Sequence, residues 1–109
     1  MTQVADIERL LQDMRLALDS GNIQLIPRRK NMDTLAVLGI SWEDAKAEIY
    51  SLTVNEYFQG PEIDRDFQGS DPFWMFKKNI NGQVIYIKFK VLYMEDGSVR
   101  LVSFHIDHM

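Results

Sequence analysis

The chain has 109 residues, 46% of them hydrophobic and 26% charged, a formal net charge of −4 and no cysteine. That length suits one domain with one modest core, read as spanning residues 1–109, and no apolar run is long enough to cross a bilayer. The missing cysteine excludes a disulfide framework, a thiolate zinc site and a cysteine nucleophile, and the acidic balance argues against indiscriminate coating of nucleic acid.

Met1 to Asp6 lacks a basic region followed by an apolar block, so no secretory leader is expected and a cytoplasmic protein is the simplest reading. From Asp6 to Leu18, Ile7, Leu10, Leu11, Met14 and Leu18 follow the helical period, and Gly21 is a natural stop. Ile23 to Ile26 alternates briefly and ends at Pro27, as a short edge strand would. The basic run Arg28-Arg29-Lys30 leads into a short helix over Met32 to Leu38, with Gly39 past its end. Ser41 can cap a third helix, where Glu43 and Asp44 suit the positive end of the dipole and Trp42, Ala45, Ile49 and Leu52 form the apolar stripe. Gly60 to Pro72 reads as a loop rich in acids and breakers.

The stretch from Phe73 to Ile106 organises everything before it. Asn81-Gly82 and Asp96-Gly97 separate three β-rich runs, and such dipeptides are the strongest local hairpin signals because both central residues of a type I′ turn need positive φ. Two-residue loops would pair Phe76 with Ile87 and Trp74 with Phe89, then Val91 with Val102, Phe89 with Phe104 and Ile87 with Ile106. Trp74, Phe76, Ile85, Ile87, Phe89, Val91, Val102, Phe104 and Ile106 then share the core side. The expected fold is α+β, with N-terminal helices on one face of an antiparallel meander of three to four strands.

The opposite side carries Met75, Lys77, Tyr86, Lys88, Lys90, Ser103, His105 and Asp107, with Lys88 expected across from His105 and Lys90 across from Ser103. On its own, His105 reads as an exposed strand residue. Beside lysines it gains a role, since like-charge repulsion favours the neutral imidazole that serves as a base. Lysines can neutralise a phosphate, and a phenol can donate a hydrogen bond or stack on a base. That combination suits RNA cleavage. Glu62, Asp64 and Asp66 alternate like metal ligands, but the twelfth position counted from Asp64 holds Met75 where a calcium loop needs glutamate. Pairing with Arg65 or nearby lysines is the expected role, and neither a metal nor a cofactor is expected. His105 and His108 are too few for an obvious zinc site, and there is no phosphate loop, serine-nucleophile motif or dinucleotide-binding repeat.

Several strings in order resemble the MqsR-type toxins of bacterial type II toxin–antitoxin systems, within the RelE-like fold. They are Leu38-Gly39-Ile40, Leu52-Thr53 through Tyr57, Trp74, Gly82-Gln83-Val84 leading to Tyr86-Ile87-Lys88, and Val102-Ser103-Phe104, so the likeness runs from about Arg29 to His105. The resemblance implies a small metal-independent endoribonuclease, an mRNA interferase neutralised by a cognate antitoxin protein. In such enzymes the RNA 2′-hydroxyl attacks the adjacent phosphorus. The expected catalytic residues are His105 and Tyr86 with Lys88 and Lys77 holding the scissile phosphate, and Lys90, Gln59, Lys78 and Arg65 are expected to contact RNA. Tyr86 matches the family's active-site tyrosine. His105 stands where the family has lysine after Ser-Phe, Gln59 where a lysine follows the aromatic pair, and Met75 where a glutamine follows the tryptophan. The competing reading is a partner-binding protein on the same fold that is not a nuclease, or a toxin acting on another target.

Overall fold

The computed structural model describes residues 2–107, so His108 lies outside the described residues. The architecture is α+β: three helices and a five-stranded mixed sheet. In chain order these are α1 (Val4–Asp19), β1 (Ile23–Leu25), α2 (Arg29–Leu38), α3 (Trp42–Tyr50), a 3₁₀ turn (Val54–Glu56), β2 (Tyr57–Glu62), β3 (Phe73–Ile80), β4 (Gln83–Val91) and β5 (Val99–Ile106). The strands lie in the order β1-β5-β4-β3-β2. The expected meander is β3-β4-β5, and it gains a strand on each side. β1 pairs with β5 in parallel, and β2 pairs with β3 antiparallel. The start of the stretch read as a loop, Gly60 to Glu62, is thus β-strand. Gly60, at φ 125°, makes this close approach possible, because a Cβ there would lie 2.9 Å from the Phe73 carbonyl oxygen.

The stripe of α1 buries Ile7, Leu10, Leu11, Met14 and Ala17 against the sheet. Ser41 caps α3 as its sequence suggests, accepting the Asp44 N–H at 3.1 Å while Asp44 accepts the Ser41 N–H at 3.0 Å. Ala45, Ile49 and Leu52 are buried. The carbonyls at the C-terminal end of α3 are held from two directions. Arg15 of α1 donates to Tyr50 and Leu52 oxygens at 2.9 and 2.7 Å, and Lys78 of β3 donates to the Glu48 oxygen at 2.9 Å. Cations placed there satisfy acceptors that a helix end leaves open.

The β3–β4 register follows the turn chemistry. Asn81 and Gly82 both take positive φ, 51° and 82°, and Trp74 pairs with Phe89, Phe76 with Ile87 and Lys77 with Tyr86. The β4–β5 register does not. Gly97 has φ 78° but Asp96 is not in the left-handed region, so a type I′ turn cannot form. Asp96 instead accepts from the Ser98 N–H at 3.0 Å and hydroxyl at 2.6 Å, and Leu92 and Ser98 close a longer loop. Val91 consequently pairs with Val99 rather than Val102. A register shift between Lys88 and Phe89 then leaves Val102 as an extra residue of β5, a β-bulge, after which Ile87 pairs with Phe104. Val99 and Leu101 therefore enter the core, whereas Val102 does not, and Phe104 and Ile106 keep their expected side.

The helices also divide differently from expectation. α1 and α3 cover one face of the sheet, while α2 runs along the outer edge of β5 beyond the end of β1. Asn31, fully buried, donates to Val102 and Ile26 oxygens at 3.0 and 2.9 Å and accepts the Phe104 N–H at 2.9 Å. Thr34 accepts the Ile106 N–H at 3.0 Å. Side chains of a helix thus complete the ladder of a strand whose partner has run out. No helix among the described residues is long and apolar enough to cross a membrane. Replacing Asn31 with alanine strands the buried N–H of Phe104 and leaves the part-buried Val102 carbonyl to the longer contact from Arg28 at 3.4 Å. The expected cost is about 2–4 kcal/mol, read as a lower urea midpoint with unchanged slope.

Candidate functional site

The face away from α1 and α3 carries three cross-strand rows. In the first, Lys77 lies beside Tyr86 and Tyr86 beside His105. In the second, Gln59 neighbours Met75, Met75 neighbours Lys88 and Lys88 neighbours Ser103. In the third, Lys90 neighbours Arg100, which neighbours Gln24 of β1. The expected partnerships of Lys88 with His105 and Lys90 with Ser103 are corrected by the longer loop and the bulge, and the correction brings the imidazole to the phenol. Their ring centroids are 5.4 Å apart, with planes tilted by 38°.

The His105 ring is oriented by its backbone. Its Nδ1 lies 3.1 Å from the Ile106 carbonyl oxygen. A carbonyl can only accept, so in the neutral ring Nδ1 carries the hydrogen and Nε2 keeps the lone pair. The Tyr86 hydroxyl has its pKa pushed above the ordinary phenol value by partial burial, then by the negative charges of Glu62 and Asp107. It remains a protonated donor at neutral pH. Lys77 pairs with Asp107 at 3.0 Å and lies 4.1 Å from the centre of the Phe58 ring. Lys88 stands 4.0 Å from a Glu62 carboxylate oxygen and 4.7 Å from the centre of the Phe73 ring.

His105, Tyr86, Lys77 and Lys88 are therefore brought to one face, as the sequence suggests. The four residues expected around them are not gathered in the same way. Lys90 is only 2% exposed, and its ammonium donates to Asp64 at 2.8 Å, Ser70 at 3.2 Å and the Asp71 carbonyl at 3.3 Å. Lys78 projects to the helix side, where it bonds α3. Gln59 lies on the edge strand with its amide on Glu62 at 2.9 Å, and Arg65 is exposed on the loop. The face is not open to water throughout. Met75 and Ser103 are each 2% exposed, and the acidic loop folds back onto Lys90. The loop carboxylates serve that purpose: Asp64 holds Lys90 and accepts the Asp66 N–H at 3.0 Å, and Asp71 accepts the Met94 N–H at 3.0 Å. Among the described residues, no three His, Asp or Glu side chains converge as metal ligands.

Next to the rows, a groove of about 480 Å³ runs between the loop and β5. Arg28, Arg100 and Lys88 line it with Phe67 and Phe73. In the sequence Arg28 stands out only as part of a basic run, and Arg100 is not singled out. The run Arg28-Arg29-Lys30 after Pro27 was the available signal for one, and the true pairing of Arg100 with Lys90 would have placed the other. A separate cavity of about 630 Å³, lined by Asp6, Arg9, Asp13, Trp74 and Tyr93, opens on the helix side, where Tyr93 donates to Asp13 at 2.6 Å. It shares no residue with the rows. Comparison with protein-family models and with curated proteins finds no match to this chain.

The Asp64 carboxyl is held below the ordinary carboxylate range, first by the hydrogen bond from Lys90. A depressed folded pKa gives stability that is present above the unfolded value of about 3.9 and is lost as pH falls through the folded one. The urea midpoint is expected to drop as pH is lowered below about 4, and Asp64→Asn, weaker at neutral pH, should show a flatter decline over that window. Removing the other partner by Lys90→Met leaves a carboxylate largely cut off from water, with an expected cost at pH 7 of about 2–4 kcal/mol in the same titration.

Proposed function

We propose that this protein is a metal-independent endoribonuclease, the toxin of a toxin–antitoxin pair on a RelE-like fold. The reading places it in the cytoplasm with a protein antitoxin as partner. The observation that carries it is the row Lys77, Tyr86, His105, which sets an imidazole whose Nδ1 engages the Ile106 carbonyl beside a protonated phenol, with an ammonium group flanking them.

In this reading His105 Nε2 takes the proton of the RNA 2′-hydroxyl as its oxygen attacks the adjacent phosphorus. The 2′-oxygen–phosphorus bond forms, the bond to the 5′-oxygen breaks, and the leaving oxygen is protonated from Tyr86 or water. The products are a 2′,3′-cyclic phosphate and a 5′-hydroxyl. Lys88 and Lys77 neutralise the charge that grows on the phosphoryl oxygens. Both lysines already face carboxylates, Glu62 at 4.0 Å and Asp107 at 3.0 Å. Partly exposed pairs of this kind are worth about 0–1 kcal/mol, so a phosphate can displace them. Met75, buried and neutral, contributes packing rather than proton transfer.

A second reading has a specific observation in its favour. Gln59 and Met75 bring no charge, and the two lysines are partnered, which suits a surface that binds a protein without cleaving RNA. The two readings part in one assay. Purified protein should cut single-stranded RNA to cyclic-phosphate ends, and a single 2′-deoxy sugar at the cut position should block that cut. His105→Ala is expected to lower the rate about 10²–10⁴-fold with little change in KM, and Tyr86→Phe by less. Intact RNA after incubation with the parent protein, or full cleavage by His105→Ala, would overturn the nuclease reading.

A further inference from the structure

The groove beside the rows is built in a way that the cleavage chemistry leaves unused. Its cations come from three elements: Arg28 at the start of α2, Lys88 on β4 and Arg100 on β5. Its acids are Asp64 and Asp66, but Asp64 is matched by Lys90 at 2.8 Å. Lys88 is likewise faced by Glu62 at 4.0 Å, so the two arginines set against Asp66 leave the groove positive on balance within an acidic protein. Arg28 is held loosely enough to turn, at 3.4 Å from the Val102 oxygen and 3.3 Å from the Ser103 hydroxyl.

The aromatic wall is as informative as the charge. Phe67 is 64% exposed, an unfavourable place for an apolar ring. Its backbone is held nonetheless, because Asp64 accepts both the Asp66 and Phe67 N–H groups at 3.0 and 3.3 Å while its other oxygen holds the buried Lys90. A ring kept in water on an anchored loop, facing arginines, matches the platform on which unpaired bases stack. Phe73 is less available, since Lys88 and Lys90 lie 4.7 and 4.8 Å from its centre. Lys88 joins the groove to the row, two residues from Tyr86 on the same strand face and so about 7 Å away along β4.

We propose that this groove binds single-stranded RNA flanking the cut, with one base stacked on Phe67 and its phosphates held by Arg28 and Arg100. The choice of RNA over other polyanions rests on the nuclease reading. Lys88 would then hand the chain from groove to row.

The test uses the full chain and a short single-stranded RNA made with 2′-O-methyl sugars, which cannot supply the attacking hydroxyl, followed by fluorescence anisotropy across a salt series. Phe67→Ala is expected to weaken binding roughly five- to hundredfold, with Phe67→Tyr restoring it. Arg28→Ala and Arg100→Ala should each lower the slope of log affinity against log salt by about 0.7. Arg29→Ala, an exposed arginine that does not line the groove, should leave that slope unchanged. Urea midpoints of the variants equal to the parent's would show that folding is not the cause. Groove variants that bind like the parent, or that lose no more than Arg29→Ala, overturn the proposal. The two readings fail separately. Salt-sensitive binding through Phe67, Arg28 and Arg100 without cleavage of ordinary RNA removes the nuclease and keeps the groove. Cleavage with an unchanged KM in the groove variants removes the groove and keeps the nuclease.

Discussion

A single buried amide sets the geometry of the C-terminal half of the sheet. Asn31, on a helix that lies beyond the end of β1, bonds the carbonyl of Val102 and the N–H of Phe104. Those groups lie at and just after Val102, where β5 carries one residue more than its partner. Without the bulge, the inward placement of Val99 and Leu101 would carry Ser103 and His105 inward as well. With it, Leu101 and Phe104 both reach the core while His105 stands beside Tyr86. The chemistry on the open face thus depends on a contact made at the edge.

Charge on that face is sorted by depth rather than by residue type. Lys77, Lys88 and Lys90 alternate along neighbouring strands, yet they have different fates. Lys90 is enclosed by the acidic loop and satisfied by Asp64, Ser70 and Asp71, so it acts as a fastening. Lys77 and Lys88 meet carboxylates at partly exposed positions where water and salt weaken the pairing. The fastening also makes the groove: with Asp64 neutralised and the loop folded down, Phe67 is presented toward Arg28 and Arg100.

What could be read from the sequence was what local physics decides. Asn81-Gly82 specified the β3–β4 register because both residues accept positive φ, and the capping of α3 followed from Ser41 and Asp44. Asp96-Gly97 looked the same on paper, but the Asp96 carboxylate found Ser98 and the turn lengthened. The bulge had no local signal, since it is secured by Asn31 from more than 70 residues away in the chain. For the same reason Lys90 and Lys88 were indistinguishable by alternation, and only the fold of the loop separates them. Arg28 joined the site because α2 begins three residues earlier than its apolar pattern suggested, at the mouth of the groove.

The extra residue of β5 also governs how this chain can be aligned with others. Counting alternate positions from the start of the strand and from its end gives opposite answers for which side His105 faces, and both counts are locally correct. A sequence one residue shorter at position 102 would keep Val99, Leu101, Phe104 and Ile106 on the inner side and His105 on the outer. The same gap placed a few positions earlier or later would turn part of the strand over. The position of a gap within β5 therefore carries more information about the open face than the identity of most residues around it.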